Sequence, residues 1–263
     1  MSNELPMMPA KRNHDGVEKE SESRVSPFMP MFEVFRNELD EHHDRRERII
    51  KASRDITAAS KKIVRSLKND IPSKIESETQ ERAAAMNKQF LSIAPDLTGI
   101  NAWRYQRQIS GGIQEYMEAI SFETYLRQQT LITIEDARKT LPEGIDLTSD
   151  DYVLGIFDLV GELMRFAITT MATTGSLPRS KGSDGERDVL MDLRSLRTSF
   201  EALNTTSCGG TGLGKDVEKK MEVMKTCVEK VETAVYGMII RGRERPKGWV
   251  PDLGNDRGAV ESY

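Results

Sequence analysis

The sequence predicts an all-α protein, a bundle of about seven helices, from three observations. Apolar residues recur at three- and four-residue spacing through most of the chain. No segment alternates with period two for long enough to make a strand. Helix start and stop signals, such as Ser149-Asp150-Asp151 and Pro246, bracket the periodic stretches. At 263 residues the chain can bury a substantial core and is read as one domain, 28–245, between a disordered tail at 1–27 and a C-terminal tail at 246–263.

The elements follow in order. Residues 1 to 26 are polar, Pro-containing and aperiodic, the composition of a solubilising tail, although "PAKRNHDG" contains a fragment of an import-type basic signal. From Phe28, the residues Phe32, Phe35, Leu39, Ile49, Ile50, Ile56, Ile63, Val64 and Leu67 keep helical spacing up to Pro72, predicting one long helix or two nearly continuous ones. A second helix is expected over 73–93, closed by "APDLTG", and a third over 101–129. The short segment "TIEDARKTL" precedes a turn at "PEGIDLTSDD", and Ser149, Asp150 and Asp151 open a helix that runs to 173. Further helices are expected over 185–204 and 215–241, the last with Val217, Met221, Met224, Val228, Val231, Val235 and Met238 in a 3-4 apolar rhythm.

Several function classes are excluded. No apolar run is long enough to span a bilayer, and the first thirty residues lack the apolar block of a signal peptide, so an intracellular chain without membrane contact is expected. "NTT" at 204–206 is therefore not expected to be glycosylated. With two cysteines (Cys208, Cys227) and three histidines (His14, His42, His43), neither a disulfide framework nor a Cys/His zinc site is on offer; any metal needs oxygen ligands. "GGTGLGKD" imitates a phosphate-binding loop, but no strand precedes it and Asp216 replaces the metal-binding hydroxyl, so it is read as a linker. The balance of 38 basic and 42 acidic residues argues against nucleic-acid binding by bulk charge, leaving local stripes such as "HHDRRERIIKASR" at 42–54, which also suit a solvated helix face.

The acids are more informative. In "GGIQEYMEAISF" (111–122), at about 100° per residue, Ile113, Tyr116, Met117 and Ile120 share one face. Glu115 and Glu118 lie nearly opposite, but Phe122 falls between them, so that face is apolar too. The helix "YVLGIFDLVGELMRFAI" (152–168) is apolar almost all round, and its only charges, Asp158, Glu162 and Arg165, share one stripe. A carboxylate buried without a partner is costly. Three readings satisfy these four acids: a salt-bridge network with Arg165 and other cations, a site for Mg²⁺ or Mn²⁺, or a metal-free acid/base pair. A di-iron bundle needs histidines these helices lack.

"LDEHHDRRERIIKASRDIT" (39–57), "GGIQEYMEAISF", "DYVLGIFDLVGELMR" (151–165) and "KVETAVYGMIIRGRERPK" (230–247) resemble the translin family, and within it the translin-associated factor X branch, of fungal type. The resemblance spans residues 28 to 250. It implies a seven-helix subunit that joins translin in a hollow, octameric hetero-oligomer, cytoplasmic and nuclear, which cleaves single-stranded or nicked RNA with Mg²⁺. Implied substrates are the passenger strand in RNA interference and tRNA 5′ leaders. The family's acidic cluster falls on Glu115, Glu118, Asp158 and Glu162. Glu118 and Glu162 are expected as direct ligands of Mg²⁺ or Mn²⁺, with Glu115 and Asp158 binding through water, holding a second ion or orienting the nucleophile. Arg45, Arg46, Arg48, Arg104 and Arg107 are candidates for guiding single-stranded RNA or DNA, with Trp103 and Tyr105 as stacking partners. The alternative function is a non-catalytic partner that stabilises translin.

Overall fold

A computed structural model describes residues 26–69, 73–178, 187–203 and 213–241. Among them are seven α-helices and no strand: α1 Met29–Asn69, α2 Ser73–Ile93, α3 Ile100–Gln128, α4 Ile134–Thr140, α5 Ser149–Thr174, α6 Val189–Glu201 and α7 Leu213–Arg241. A 3₁₀ turn, Ala94–Leu97, links α2 to α3 and realises the "APDLTG" stop. The import-signal fragment, the glycosylation triplet, most of the glycine-rich link, Cys208 and the C-terminal tail lie outside the described residues, as does all of the N-terminal tail but Ser26 and Pro27.

The chain divides into two units, Met1–Asp44 and Arg45–Tyr263. In the first, Phe28 just before α1 and Met31, Phe32, Val34, Phe35 and Leu39 on its opening turns are exposed, with the Phe32 and Phe35 rings edge to face at 6.3 Å. Their helical spacing is as expected, yet it does not place them in a core.

The second unit holds the core. From α1 it takes Ile49, Ile56, Ile63 and Leu67, from α2 Met86 and Phe90, from α3 Ile109, Ile113, Met117 and Phe122, from α5 Ile156, Leu159, Val160 and Leu163, and from α7 Met224, Val228 and Val231. Phe122 and Ala119 are fully buried, so both faces of α3 are indeed apolar and covered. Phe122 meets Phe166 of α5 edge to face at 6.1 Å, and Phe90 of α2 meets Tyr116 at 5.4 Å on the other side.

Helix ends follow local chemistry. Thr148 caps α5, its hydroxyl accepting from the Asp151 N–H at 3.0 Å, and Thr133 caps α4 through Asp136 N–H at 3.1 Å. The helix expected from 185 begins at Val189 because the Asp188 carboxylate accepts from Met191 N–H at 2.9 Å and so fixes the first turn there. Gln129 ends α3 in the left-handed region (φ 55°), and Gly175 does the same for α5. On α7 the expected rhythm buries Val217, Met224, Val228 and Val231, while Val223, Tyr236, Ile239 and Ile240 stand exposed, so the helix carries a second, uncovered apolar surface.

Two glycines let the helices approach. A Cβ on Gly112 would lie 2.8 Å from Ser53 Oγ of α1, and one on Gly155 of α5 would lie 2.5 Å from Met117 Cβ and 3.0 Å from the Gln114 carbonyl of α3. These contacts set the spacing of the helices that carry the acids.

Candidate acidic site

Glu115 and Glu118 ride on α3; Asp158 and Glu162 ride on α5, which packs along it. Glu162 is buried, whereas Glu115, Glu118 and Asp158 are half-buried, wetter than the two apolar faces alone suggest. The structure does not gather them. Among the described residues no three Asp, Glu, His or Cys side chains come close enough to hold a metal ion. Three of the acids instead face cations: Glu115 Oε1 pairs with Lys61 Nζ of α1 at 3.1 Å, Glu162 Oε1 accepts from Arg165 Nη1 at 2.7 Å, and both Asp158 oxygens accept from Lys220 Nζ of α7 at 2.6 Å. The Arg165 pairing follows from its place on the same stripe. Neither Lys61 nor Lys220 carries a local sequence signal that pairs it with these acids.

The Glu115–Lys61 pair leaves one carboxylate oxygen over. Glu115 Oε2 is sealed from solvent and accepts no hydrogen bond. A buried anionic oxygen left so is unfavourable, and a hard cation is the partner it suits. The donor set, all carboxylate, therefore fits Mg²⁺ or Mn²⁺ in chemistry, although the acids are held apart in pairs.

Two further acids are buried and were not singled out by periodicity. Asp151 accepts from Gln106, Ser110 and Gln114 of α3 and from Thr148, so the first turn of α5 is tied to α3 through neutral donors alone. Asp192 of α6 accepts from Tyr125 OH at 2.8 Å and Arg187 Nε at 2.5 Å. Burial and that carboxylate together drive the Tyr125 phenol far above its ordinary range, so it stays a donor at all physiological pH. Each of these acids ties α3 to a neighbouring helix.

The Translin family profile matches residues 44–242 of the chain, three quarters of its length. The chain belongs to the translin family. It is similar to translin-associated protein X of Rattus norvegicus, at 31% identity over 92% of this chain and 91% of that protein. It is also similar to the translin-associated protein X homolog of Schizosaccharomyces pombe, at 29% identity over 81% and 89%, and to translin of Gallus gallus, at 25% over 66% and 72%. Two crystal structures share its fold: apo-NeC3PO (TM-score 0.56, 16% identity, 78% of this chain and 97% of that one) and AfC3PO (TM-score 0.56, 19%, 80% and 97%).

In this translin-family chain the candidate nucleic-acid residues separate into two sets. Arg45 and Arg48 are drawn onto Asp96 of the 3₁₀ turn, Arg48 through Nε at 2.9 Å and Nη2 at 2.7 Å, Arg45 through Nε at 3.3 Å. Arg46 meets its neighbour Glu47 at 3.1 Å on the surface. Arg104 and Arg107 are exposed on the first turns of α3 beside Trp103, which is 83% exposed, whereas Tyr105 is buried and not presented for stacking. The Arg48 contact holds the Asp96 carboxyl below its ordinary 3.8. An acid with a depressed folded value stabilises the fold fully above its unfolded value, and that contribution fades as pH falls through the lower folded one. Arg48→Met is therefore expected to shift the acid-unfolding midpoint upward, measured by far-UV circular dichroism from pH 6 to 2; an unchanged midpoint would show that the pair adds nothing.

Proposed function

We propose that this chain is the acid-bearing subunit of a translin-containing endoribonuclease dependent on Mg²⁺ or Mn²⁺, which cleaves single-stranded or nicked RNA in the cytoplasm and nucleus. The observation that carries the reading is the α3–α5 pair, with four carboxylates on two packed helices and a buried oxygen of Glu115, Oε2, that accepts no hydrogen bond. Family membership and a fold shared with the two C3PO structures support a translin-partner role in an assembly of that type.

When bound, a divalent ion supplies charge neutralisation at a phosphodiester and an acidified water. Glu118 and Glu162 are the proposed direct ligands, and Glu115 and Asp158 the residues that hold a water or orient the attacking oxygen. Gly155 and Met117 set the distance between the two helices on which these groups stand. Arg104 and Arg107 supply positive charge to RNA phosphates, and the exposed Trp103 a stacking surface for unpaired bases. The uncovered apolar residues of α7 suit an interface with translin.

The reconstituted complex with translin tests this directly. Single-stranded RNA is expected to be cut with Mg²⁺ and to stay intact with EDTA. Intact RNA under both conditions would overturn the nuclease reading in favour of a non-catalytic subunit that stabilises translin, a role that the cation pairing of Glu115, Asp158 and Glu162 also suits.

A further inference from the structure

The three cations that face the acids are not equivalent. Lys61 and Arg165 each expose 53% of the side chain and make one contact with their acid, so the head group of each has an open path into water. Lys220 exposes 27% and straddles its partner, with Nζ at 2.6 Å from both Asp158 oxygens and 3.4 Å from the Leu154 carbonyl one turn earlier on α5. Those three acceptors match the three donors of an ammonium group. The ammonium also lies along the edge of the carboxylate that a cation bound by both oxygens would use. A lysine ammonium and a divalent ion cannot occupy that edge together.

Lys220 comes from α7, outside the α3–α5 pair, so it is fixed independently of the acids it neutralises. This accounts for Asp158 being held in cation-paired form while its donor chemistry suits a metal ion. We propose that Lys220 is a positioning residue that latches Asp158 in a charge-balanced, metal-free arrangement, competes with the divalent cation for that carboxylate, and is displaced when the cation binds. The proposal rests on the reading of these acids as a metal site.

Mn²⁺ titration of the full chain in complex with translin, following free Mn²⁺ by electron paramagnetic resonance, separates the two ideas. Lys220→Met keeps the aliphatic stem and removes the competing charge, and Lys220→Gln is a second neutral variant should the first fold poorly. Either is expected to bind Mn²⁺ roughly three- to tenfold more tightly than the parent, the scale of one partly exposed ion pair. Lys220→Arg keeps the charge and is expected to bind no more tightly than the parent. Without metal the neutral variants should melt at lower temperature, because Asp158 has lost its partner, yet gain more in Tm on adding Mn²⁺. A merely structural lysine would give the first change without the second. Parent-like or weaker Mn²⁺ binding by the neutral variants overturns the latch while leaving the metal reading intact. Absence of Mn²⁺ binding in parent and variants alike overturns both.

Discussion

Glu118→Gln in the reconstituted complex is expected to lower Mg²⁺-dependent RNA cleavage by about two to three orders of magnitude, the scale on which removing one preorganised charge-stabilising group acts. The substitution keeps the shape of the side chain and removes only its charge. Glu118 is half-buried and follows Met117, which is fully buried against Gly155 of α5, so its backbone position is fixed by packing that the amide does not disturb. Assembly with translin and Tm should therefore stay close to the parent values. Glu123, on the same helix, is paired with Arg127 one turn on at 2.9 Å and serves as the control; Glu123→Gln should leave cleavage within about twofold, since a surface pair of this kind contributes little. Retained cleavage in Glu118→Gln would remove Glu118 from the site. A matching fall in Tm would make its role structural.

Helix existence and most boundaries were legible in the sequence because they depend on local rules. A 3-4 apolar rhythm, a Thr or Asp cap and a glycine past the last turn act within a few residues. The covered second face of α3 was legible for the same reason, since Phe122 lies between the two glutamates on the wheel and is fully buried in the fold. What meets an acid across the bundle has no such rule. Lys220 looks like any basic residue on the outer side of an amphipathic helix, and only the packing of α7 on α5 brings it to Asp158. The arginines of α1 illustrate the converse. A dense basic stretch suits RNA phosphates, yet Asp96 sits in a 3₁₀ turn brought against α1 by the fold and takes up both Arg45 and Arg48. Asp151 was visible as a helix start but not as the acceptor of three α3 side chains. The apolar opening of α1 was visible as a helix, while its exposure depends on what covers it.

Two glycine-to-alanine changes six residues apart on α5 are expected to act with opposite sign. In a helix interior alanine is favoured over glycine by about 1 kcal/mol, mostly through the unfolded chain. At Gly161 an added Cβ meets nothing within 4 Å, so Gly161→Ala should stabilise the protein by about 0.5–1 kcal/mol. At Gly155 the same Cβ would stand 2.5 Å from Met117 Cβ and 3.0 Å from the Gln114 carbonyl. The second of these is backbone and cannot swing aside, and the first is the rigid root of a fully buried side chain, so α3 and α5 must separate. Overpacking of this kind costs roughly 1–3 kcal/mol and outweighs the propensity gain. Urea unfolding should give a lower midpoint for Gly155→Ala and a higher one for Gly161→Ala, with similar slopes. The functional consequence follows from position. Asp158 lies three residues beyond Gly155, and Glu118 one beyond Met117, so prising the helices apart displaces acids on both. Cleavage by Gly155→Ala should fall more steeply than its folded fraction predicts, whereas Gly161→Ala should cleave RNA as the parent does. Loss of stability without that additional loss of activity would separate the α3–α5 spacing from the chemistry.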